Sequence, residues 1–509
     1  MTPRAGTALL VGAILLPAAV RLACYPGYPG SDDAFIHYAV ASNVATDRGW
    51  GIQPGESVNL SSSPLFTLTA TGLVALGGDP WRSGSWLTLL AACAGIWLTW
   101  WAARRLGLDA VPAALLAATN LHLWRWTGTF LETTLAFAVV PLVVGLGGPL
   151  AGRREWSAGA WAAFGALLGA AALLRYELAL LLVACAPLAW SAGRRPRWGW
   201  LAAGFASVTV PWAGFAWHAF GTLVPTTLAA KSGAGPHWPS LAVLEALGRV
   251  VLSAAPGASL LIVWGLGARW RRGGARELRR WTVRWLPLWL PPVALALFYS
   301  VAMDALQSPG RYFLPFSSLL ALLALAALPG GERSRPGRAG VVLTVVLQTT
   351  VALGVTLSRV APVLRNMEPG YVAAMREAAS ELRRRCRPGE EVLVLTDIGV
   401  LSVAGTEPCR ILDGGGLASP ELIGLVVPEM IERHRPAWVL ESLGDPLRPL
   451  PEAPPMPLEE VWRREFPSHG IARPDRRFAA RLFAAQRSEP WSRQGAGIVS
   501  AGRHAALAP

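Results

Sequence analysis

The sequence predicts an α-helical polytopic membrane protein with a small α/β domain at its C-terminal end. Of its 509 residues, 53% are hydrophobic and only 15% are charged, whereas soluble domains carry about a quarter charged residues. Apolar stretches close to the ~20 residues that a bilayer core requires recur up to residue 358. The net charge of +14 does not indicate nucleic-acid binding, because the arginines fall between the apolar stretches, as in cytoplasmic loops.

Apolar length predicts about eleven transmembrane helices. Their approximate bounds are 7–23, 83–103, 110–126, 131–149, 158–174, 177–192, 198–219, 247–268, 283–302, 313–329 and 338–358. The first is expected to be retained, because no small-residue cleavage site precedes a soluble segment. The apolar segment 64–77 is only about 14 residues long, which is typical of an interfacial or re-entrant segment.

Arginine clusters fix the predicted orientation. With the N-terminus inside, every cluster falls in an inner loop, as the positive-inside rule requires. The clusters are Arg104/Arg105, Arg153/Arg154, Arg194/Arg195/Arg197, Arg269/Arg271/Arg272 and Arg333/Arg335/Arg338. Counting 64–77 as a span would put these clusters outside. The first loop, 24–82, and the C-terminal domain are therefore predicted on the extracytoplasmic face of the cytoplasmic (inner) membrane.

The composition changes after residue 358, which predicts a transmembrane domain over 1–358 and a separate domain over 359–487. Short β-like runs alternate there with helical patterns, as in small α/β domains. The expected strands are 391–396, 409–412, 438–441 and 477–484, and the expected helices are 371–385 and 419–434, the second capped by Ser419. Asp397 and Asp413 are interpreted as turn residues rather than ligands. Residues 488–509 are expected to be disordered.

The five cysteines show no CxxC or Cys/His spacing, which argues against a zinc site. Cys386 and Cys409 both fall in the C-terminal domain. They could form a disulfide if that domain is extracytoplasmic, or they could remain two separate buried thiols.

Polar residues gather on the predicted outer side. Asp32 and Asp33 follow the first span and open a helix-like run; two carboxylates there can accept a proton, hold a metal ion, or both. The other polar residues at outer helix ends are His37, Glu132, Arg175, Glu177, Lys231, Asp304 and Arg311. Charged groups at such positions are costly unless they are paired or used, so their placement predicts a single polar site at the outer membrane face.

Each of these residues also has a structural interpretation. The aspartate pair suits a helix N-terminus, and Glu132 could cap the helix that follows it. Arg175 and Glu177 could flank a tight turn between two helices. Lys231, the single lysine of the chain, and Arg311 could extend along apolar surface to the membrane interface.

Several short motifs resemble the GT-C class of integral membrane glycosyltransferases, and within it the mycobacterial-type terminal arabinofuranosyltransferases and their uncharacterised relatives. The motifs are SDDAFIHYAVASNVATDRGWGIQPGE (31–56), SSSPLFTL (61–68), TFLETTLAF (129–137), LLRYELALLL (173–182), AFGTLVPTTLAAK (219–231), GRYFLPF (310–316), DIGVLS (397–402) and ILDGGGLASPE (411–421). They occur in the family's order over most of the chain. Two depart from its pattern: the glycine before Glu132 stands at Gly128, and Tyr176 replaces a proline.

The resemblance implies a GT-C-like fold and an enzyme that moves a sugar from a polyprenyl-phosphate donor to a cell-envelope glycan, lipid or protein acceptor. In this class an outer-loop carboxylate acts as general base and the anomeric configuration inverts. Asp32 is the first choice for the base. Asp33 could orient it, bind a divalent cation (Mg, Mn or Ca), or be the base itself. Lys231 and Arg311 are expected to hold the donor phosphate, and the further substrate-binding residues are expected to be His37, Tyr38, Glu132, Arg175, Glu177 and Tyr312.

Two other functions stay open. A transporter or flippase of a lipid-linked sugar needs a polar path across the bilayer and often internal repeats. The predicted spans carry few midplane charges and no repeat is found, so an enzyme is favoured. A non-catalytic envelope-assembly protein with a degenerate site is the third alternative. The donor sugar, pentose or hexose, is not readable from the sequence.

Overall fold

The computed structural model describes residues 3–77, 80–147, 156–182, 197–232, 239–303, 308–328, 335–443, 454–467 and 477–486. Its helices are α1 (Pro3–Cys24), α2 (Asp32–Ala45), α3 (Pro64–Ala75), α4 (Pro80–Arg105), α5 (Ala110–Ala118), α6 (Leu121–Trp126), α7 (Thr133–Gly147), α8 (Ala158–Leu174), α9 (Trp198–Phe220), α10 (Thr226–Lys231), α11 (Leu241–Ala254), α12 (Pro256–Arg284), α13 (Leu286–Ala302), α14 (Pro309–Phe313), α15 (Ser317–Ala327), α16 (Arg335–Val355), α17 (Ala361–Arg365), α18 (Ala373–Arg385), α19 (Gly399–Ala404) and α20 (Val427–His434). Its strands are β1 (Glu391–Val394), β2 (Arg410–Asp413), β3 (Trp438–Leu443), β4 (Leu458–Pro467) and β5 (Arg477–Ala485). The predicted tail 488–509 and Asp304 lie outside the described residues.

Among the described residues, four helical segments are long and apolar enough to cross a membrane. They are Arg4–Cys24, Arg82–Arg105, Pro309–Ala327 and Ala339–Arg385. The bent pair α11 and α12 adds a fifth if it counts as one span, and α3, α7, α8 and α13 are shorter apolar helices. Large apolar side chains such as Trp97, Trp217 and Val263 are exposed, as suits a surface that contacts lipid. The number of about eleven spans stays a prediction.

Two predicted spans are broken in the structure. The span over 110–126 divides into α5 and α6, because the Asn120 side chain accepts hydrogen bonds from the backbone of His122 and Leu123 and starts a new helix. The span over 247–268 divides into α11 and α12, which meet at an angle of 98°. Pro256 begins the second helix, and without an amide N–H it cannot continue the hydrogen bonding of the first.

The centre of the bundle is α15, whose residues are all buried. An apolar helix that is surrounded on every side carries no polar stripe, and its sequence SSLLALLALAA agrees with this. Its N-terminal end continues from α14 through a 3₁₀ turn at Leu314–Phe316. This central column therefore carries Arg311 and Tyr312, on α14, to one end of the bundle.

The predicted boundary at residue 358 falls inside a continuous helical run. That run, Ala339–Arg385, passes through two π-helical turns at Thr356–Val360 and Met367–Val372. It joins the last apolar helix to α18, which begins the C-terminal part of the chain. A π turn adds a residue per turn and rotates the side chains that follow.

The C-terminal part contains a five-stranded mixed sheet in the order β2-β1-β3-β5-β4. Strand β1 runs parallel to β2 and β3, with Val392 opposite both Ile411 and Trp438. Strand β5 pairs antiparallel with β3 and β4. The four expected strands are confirmed. The edge strand β4 was not predicted, because its alternating charged residues, LEEVWRREFP, give little apolar signal on a half-solvated sheet.

The prediction of a single helix over 419–434 is wrong. The segment forms a 3₁₀ turn at Pro420–Leu422 and, separately, α20. Gly424, between them, has φ of 83°, in the left-handed region that ends helices. The Ser419 hydroxyl accepts a hydrogen bond from the Asp413 amide and does not cap a helix. Of the two alternatives for the cysteines, Cys386 and Cys409 form a disulfide.

Candidate active site

The two aspartates are the first residues of α2 and lie at its N-terminal end. Carboxylates are stabilised there by the helix dipole. Successive helix residues point about 100° apart, so the two side chains meet different surroundings. Asp32 is 8% exposed, whereas the Asp33 side chain is 38% exposed.

Asp32 faces the C-terminal part of the chain. Its Oδ2 accepts a hydrogen bond from the Gly399 amide at 2.6 Å, and its Oδ1 accepts from the Val400 amide at 3.0 Å and from the Tyr371 hydroxyl at 3.1 Å. A side chain at Gly399 would collide with Asp32. Burial raises the pKa of Asp32 well above its usual value, and the neighbouring Asp397 raises it further. Asp32 thus joins α2 to the start of α19.

Asp33 faces a cluster of charged residues drawn from distant parts of the chain. Its Oδ2 forms an ion pair with Nη1 of Arg311. Nη2 of Arg311 lies 3.3 Å from Oε1 of Glu132, and Nη1 of Arg175 lies 2.7 Å from the same oxygen. Glu132 is fully buried, so two guanidinium groups compensate one carboxylate away from water.

The cluster continues through two tyrosines to Lys231. Nε of Arg175 donates to Oε1 of Glu177 at 2.6 Å, and the Tyr299 hydroxyl donates to the same oxygen at 2.9 Å. The Tyr299 and Tyr312 rings meet edge to face, 5.1 Å apart. Nζ of Lys231 donates to the Tyr312 hydroxyl at 3.1 Å. Sequence reasoning missed Tyr299, because a tyrosine near the end of an apolar span is also typical of a membrane interface.

His37 closes the cluster on the side of the first loop. Its Nε2 lies 3.5 Å from Oε2 of Glu132, and its Nδ1 lies 3.2 Å from Oγ1 of Thr67. Thr67 lies on α3, the segment predicted to be interfacial or re-entrant, and its Oγ1 is also 2.8 Å from Oγ of Ser61. Tyr38 points elsewhere and packs edge to face against Phe130, with ring centroids 6.4 Å apart.

The charges of the cluster balance in number. Three carboxylates, Asp33, Glu132 and Glu177, lie among three cations, Arg175, Arg311 and Lys231. Burial alone would raise the pKa of Asp33, but Arg311 and Lys231 outweigh it and lower that pKa. Lys231 contacts no carboxylate directly within the described ranges, so its ammonium group is the cation most available to a ligand.

The site residues predicted from the sequence divide into two sets. Most of them meet in the cluster: Asp33, His37, Glu132, Arg175, Glu177, Lys231, Arg311 and Tyr312. Asp32 and Tyr38 lie beside it and face other partners. Asp413 accepts hydrogen bonds from the Gly415 and Ala418 amides, as a turn aspartate does. In the part of the chain that the structure describes, no three His, Cys, Asp or Glu side chains gather as a metal site, and the metal-binding role of Asp33 stays a prediction.

No family model and no curated protein matches this sequence. Two crystal structures of ArnT from Cupriavidus metallidurans do match the fold. The one bound to undecaprenyl phosphate has a TM-score of 0.58 at 15% identity, covering 94% of this chain and 98% of that chain. The apo structure has a TM-score of 0.56 at 17% identity, covering 93% and 97%.

The chain has the ArnT fold. Because the match spans nearly the whole length of both proteins, it includes the bundle and the C-terminal part together. The likeness supports the GT-C fold that the sequence predicts. These two structures do not test the closer relationship to the arabinofuranosyltransferases, which stays a prediction.

Proposed function

We propose that this protein is a multi-pass glycosyltransferase of the inner membrane that takes its sugar from a polyprenyl-phosphate donor. The ArnT fold supports the proposal, since one of the matching structures holds undecaprenyl phosphate. The polar cluster supports it further, because it places a carboxylate beside two cations at one end of an apolar bundle. A site built on one end of the bundle suits transfer at one membrane face better than transport across the bilayer.

The observation that carries the proposal is the pairing of Asp33 with Arg311 next to Lys231. A departing lipid phosphate develops negative charge, which preorganised cations stabilise. Arg311 offers a planar fork that suits phosphate oxygens, and Lys231 adds a second positive charge. The Asp33 carboxylate pairs with the same Arg311 that we propose contacts the donor phosphate.

We place the general base at Asp33. Its Oδ2 pairs with Arg311, and its side chain is partly open, whereas both oxygens of Asp32 accept hydrogen bonds and the group is buried. When the donor phosphate takes over Arg311, the influence that lowers the Asp33 pKa weakens. The carboxylate then becomes a stronger base when substrate is present. Asp32, the first choice from the sequence, is the alternative that mutagenesis must test.

The transfer step follows from this arrangement. Asp33 accepts the proton of an acceptor hydroxyl while that oxygen forms a bond to the anomeric carbon. The bond between the anomeric carbon and the phosphate oxygen breaks, and its electron pair leaves with polyprenyl phosphate, which Arg311 and Lys231 stabilise. Attack opposite to the leaving group inverts the configuration. A positioned base of this kind contributes roughly 10²–10⁴-fold to the rate.

The proposed face is extracytoplasmic. The disulfide between Cys386 and Cys409 supports this, since such bonds persist in oxidising compartments. Asp32 links the cluster to the same C-terminal part of the chain. The inner loops rich in arginine, predicted from the sequence, agree with this orientation.

The proposal is tested by deleting the gene and analysing the membrane lipids by mass spectrometry. We expect a polyprenyl-phosphate sugar to accumulate, because its consumer is missing. The mass of that sugar distinguishes a pentose, as the arabinofuranosyltransferase-like motifs suggest, from a hexose. Complementation with the wild-type chain should remove the excess, and complementation with Asp33→Asn should not. An unchanged lipid profile in the deletion strain would contradict the transferase proposal.

A further inference from the structure

A second group of buried cations lies at the end of α1, beside the cluster but outside it. Arg21 occupies the last turn of α1 and is 7% exposed. Arg125 lies on α6, with its guanidinium carbon 4.7 Å from the ring centroid of Trp126. Across the described ranges, neither arginine forms an ion pair with a carboxylate. This distinguishes them from Arg175 and Arg311, which Glu132 compensates.

The surroundings of these two arginines are rich in hydrogen-bond donors without acceptors. Nη1 of Arg21, Nε of Arg125 and the indole N–H of Trp126 are buried and have no partner among the described residues. Both ring nitrogens of His122 are also buried without a partner, and one of the two donates in the neutral ring. This ring packs against Gly310, next to Arg311. A buried donor without a partner destabilises the protein. Such a concentration of donors is complementary to a group that carries several acceptor oxygens and a negative charge.

The side chains are held in place before any ligand binds. The Tyr25 hydroxyl donates to the Trp124 carbonyl at 2.5 Å, which fixes α6 against the end of α1. The Arg21 guanidinium lies over the Tyr25 and Tyr28 rings, 5.4 and 5.6 Å from their centroids, and donates to the Tyr28 carbonyl. One carbonyl contact does not compensate a full buried charge.

The second group of cations lies near the reaction site, because the His122 ring packs against Gly310, the residue before Arg311. On the outer surface of α1, Leu15 and Leu22 are 54% and 57% exposed, so an acyl or prenyl chain can lie along the helix that ends at Arg21.

We propose that Arg21 and Arg125, with His122 and Trp126, form a second anion site that binds the phosphate headgroup of a membrane lipid. The site is separate from the Arg311 and Lys231 pair, and it does not depend on which sugar is transferred. Two sources can supply such a headgroup: a polyprenyl phosphate, or an anionic diacyl phospholipid that serves as acceptor or neighbour. Both present the same chemistry to the guanidinium groups.

The test measures lipid binding by the purified full chain, with native mass spectrometry in phosphatidylcholine nanodiscs. The added probes are undecaprenyl phosphate in one arm and phosphatidic acid in the other. We expect Arg125→Gln to weaken binding of at least one probe roughly tenfold to hundredfold, equivalent to about 1.4–2.8 kcal/mol. Arg125→Lys, which keeps the charge but loses the planar fork, should fall between. Arg104→Gln is the matched control, because Arg104 also lies against a tryptophan ring, 5.0 Å from the centroid of Trp100, at the end of α4.

The two arms identify the source. Weaker binding of undecaprenyl phosphate alone assigns the site to the polyprenyl carrier, and weaker binding of phosphatidic acid alone assigns it to a diacyl lipid. Unchanged binding of both probes in Arg125→Gln and in Arg21→Gln would overturn the proposal. If Arg21→Gln fails to fold, Arg125→Gln decides alone, since Arg125 is less buried. The readout is binding, so a failure here leaves the proposed transfer reaction untouched.

Discussion

Asp32 and Asp33 are neighbours in the chain but point in directions about 100° apart on α2, towards different partners. Asp32 accepts hydrogen bonds from two backbone amides and one tyrosine of the C-terminal part. Asp33 faces Arg311 and keeps a partly open carboxylate. The hydrogen bonds to Asp32 fix the position of its carboxylate. Asp33 pairs with Arg311, and we propose that the donor phosphate replaces Asp33 in that contact. The difference supports our proposal that Asp32 positions the C-terminal part and Asp33 acts as the base.

The difference also shows in the two pKa values. Burial and Asp397 raise the pKa of Asp32, whereas Arg311 and Lys231 lower that of Asp33 against the effect of burial. A raised pKa alone would make Asp32 the better base. However, a base must also reach the hydroxyl proton, and Asp32 is buried and accepts three hydrogen bonds that fix its orientation. The geometry therefore favours Asp33 as the proposed base, and mutagenesis must test whether the two roles are exchanged.

The largest expected effect is on sugar transfer by Asp33→Asn. The amide keeps the size of the side chain but cannot accept a proton at neutral pH, so we expect the rate to fall roughly 10²–10⁴-fold. Asp32→Asn should retain more transfer and should lower the melting temperature instead, because its amide group would face the Gly399 or Val400 N–H. The measurements are transfer from a radiolabelled polyprenyl-phosphate sugar and thermal unfolding of both variants. Loss of transfer in Asp32→Asn with near-normal transfer in Asp33→Asn would exchange the roles, and activity in both would refute the catalytic interpretation.

The next largest effect concerns the donor phosphate. Lys231→Ala removes a cation that pairs directly with no carboxylate among the described residues, so we expect it to weaken donor binding about 10–100-fold, since a charge-assisted contact contributes about 1.5–3 kcal/mol. Arg311→Lys should weaken binding less, because the charge stays and only the fork is lost. Arg249→Ala is the control, since its ion pair with Glu245 is exposed and contributes little. Unchanged donor affinity in Lys231→Ala and Arg311→Lys would dismiss the assignment.

The third effect is on the pH dependence of stability, and it has opposite signs for the two aspartates. Asp32 has a folded-state pKa above the unfolded value of about 3.9, so the folded state holds its proton longer than the unfolded state. Stability from this group is therefore present below pH ~4 and is lost as the pH rises through the raised pKa. Between the two pKa values the free energy of unfolding falls by up to ~1.4 kcal/mol for each pH unit. The melting temperature of Asp32→Asn should therefore rise relative to that of the wild type as the pH increases from about 4.

Asp33 should behave in the reverse sense. Its folded-state pKa is lowered, so its stabilising effect is present above pH ~4 and is lost as the pH falls below that value. The deficit of Asp33→Asn relative to the wild type should therefore shrink on acidification, although solvent screens this half-exposed group. Melting curves of the wild type and both variants over a pH series give the difference in melting temperature between each variant and the wild type. If this difference changes with pH in the same direction for both variants, the pKa values of the two aspartates are not shifted in opposite directions.

The sequence predicted the parts of the fold that depend on local patterns. Apolar length located most helices, and short β-like runs located four of the five strands. The breaks at Asn120 and Pro256 were missed, since apolar windows average over a single capping or proline residue. Strand β4 was missed because its charged residues suit an edge, where pairing with β5 rather than burial defines the strand.

The candidate site was predictable in its members and not in its contacts. Lys231 was predictable as the single lysine of the chain, and Glu132 and Arg175 were predictable as charged residues at helix ends. The partners of Asp32 were not readable, because backbone amides carry no sequence signature and Gly399 lies 367 residues further along the chain. For the same reason the sequence could not tell which of two adjacent carboxylates faces the cations. The sequence does not distinguish Arg21 and Arg125 from the other arginines, because only the structure shows that they lack carboxylate partners among the described residues.

The smallest expected effect tests whether the contact between the C-terminal part and the transmembrane part can be weakened without loss of sugar transfer. Oγ1 of Thr226 donates to the Leu417 carbonyl at 2.6 Å, one of several links between the transmembrane part and the C-terminal part besides that of Asp32. Thr226→Val keeps the shape and removes the hydroxyl, which should cost about 0.5–1.5 kcal/mol. Hydrogen exchange should therefore increase in the segment that contains Leu417, while transfer changes less than twofold to threefold if docking acts only on position. Thr209→Val, which removes a hydroxyl bonded within α9 to the Phe205 carbonyl, should change neither. A loss of transfer in Thr226→Val as large as that in Asp33→Asn would mean that the docked domain takes part in the chemistry, and the division of roles between the two aspartates would no longer hold.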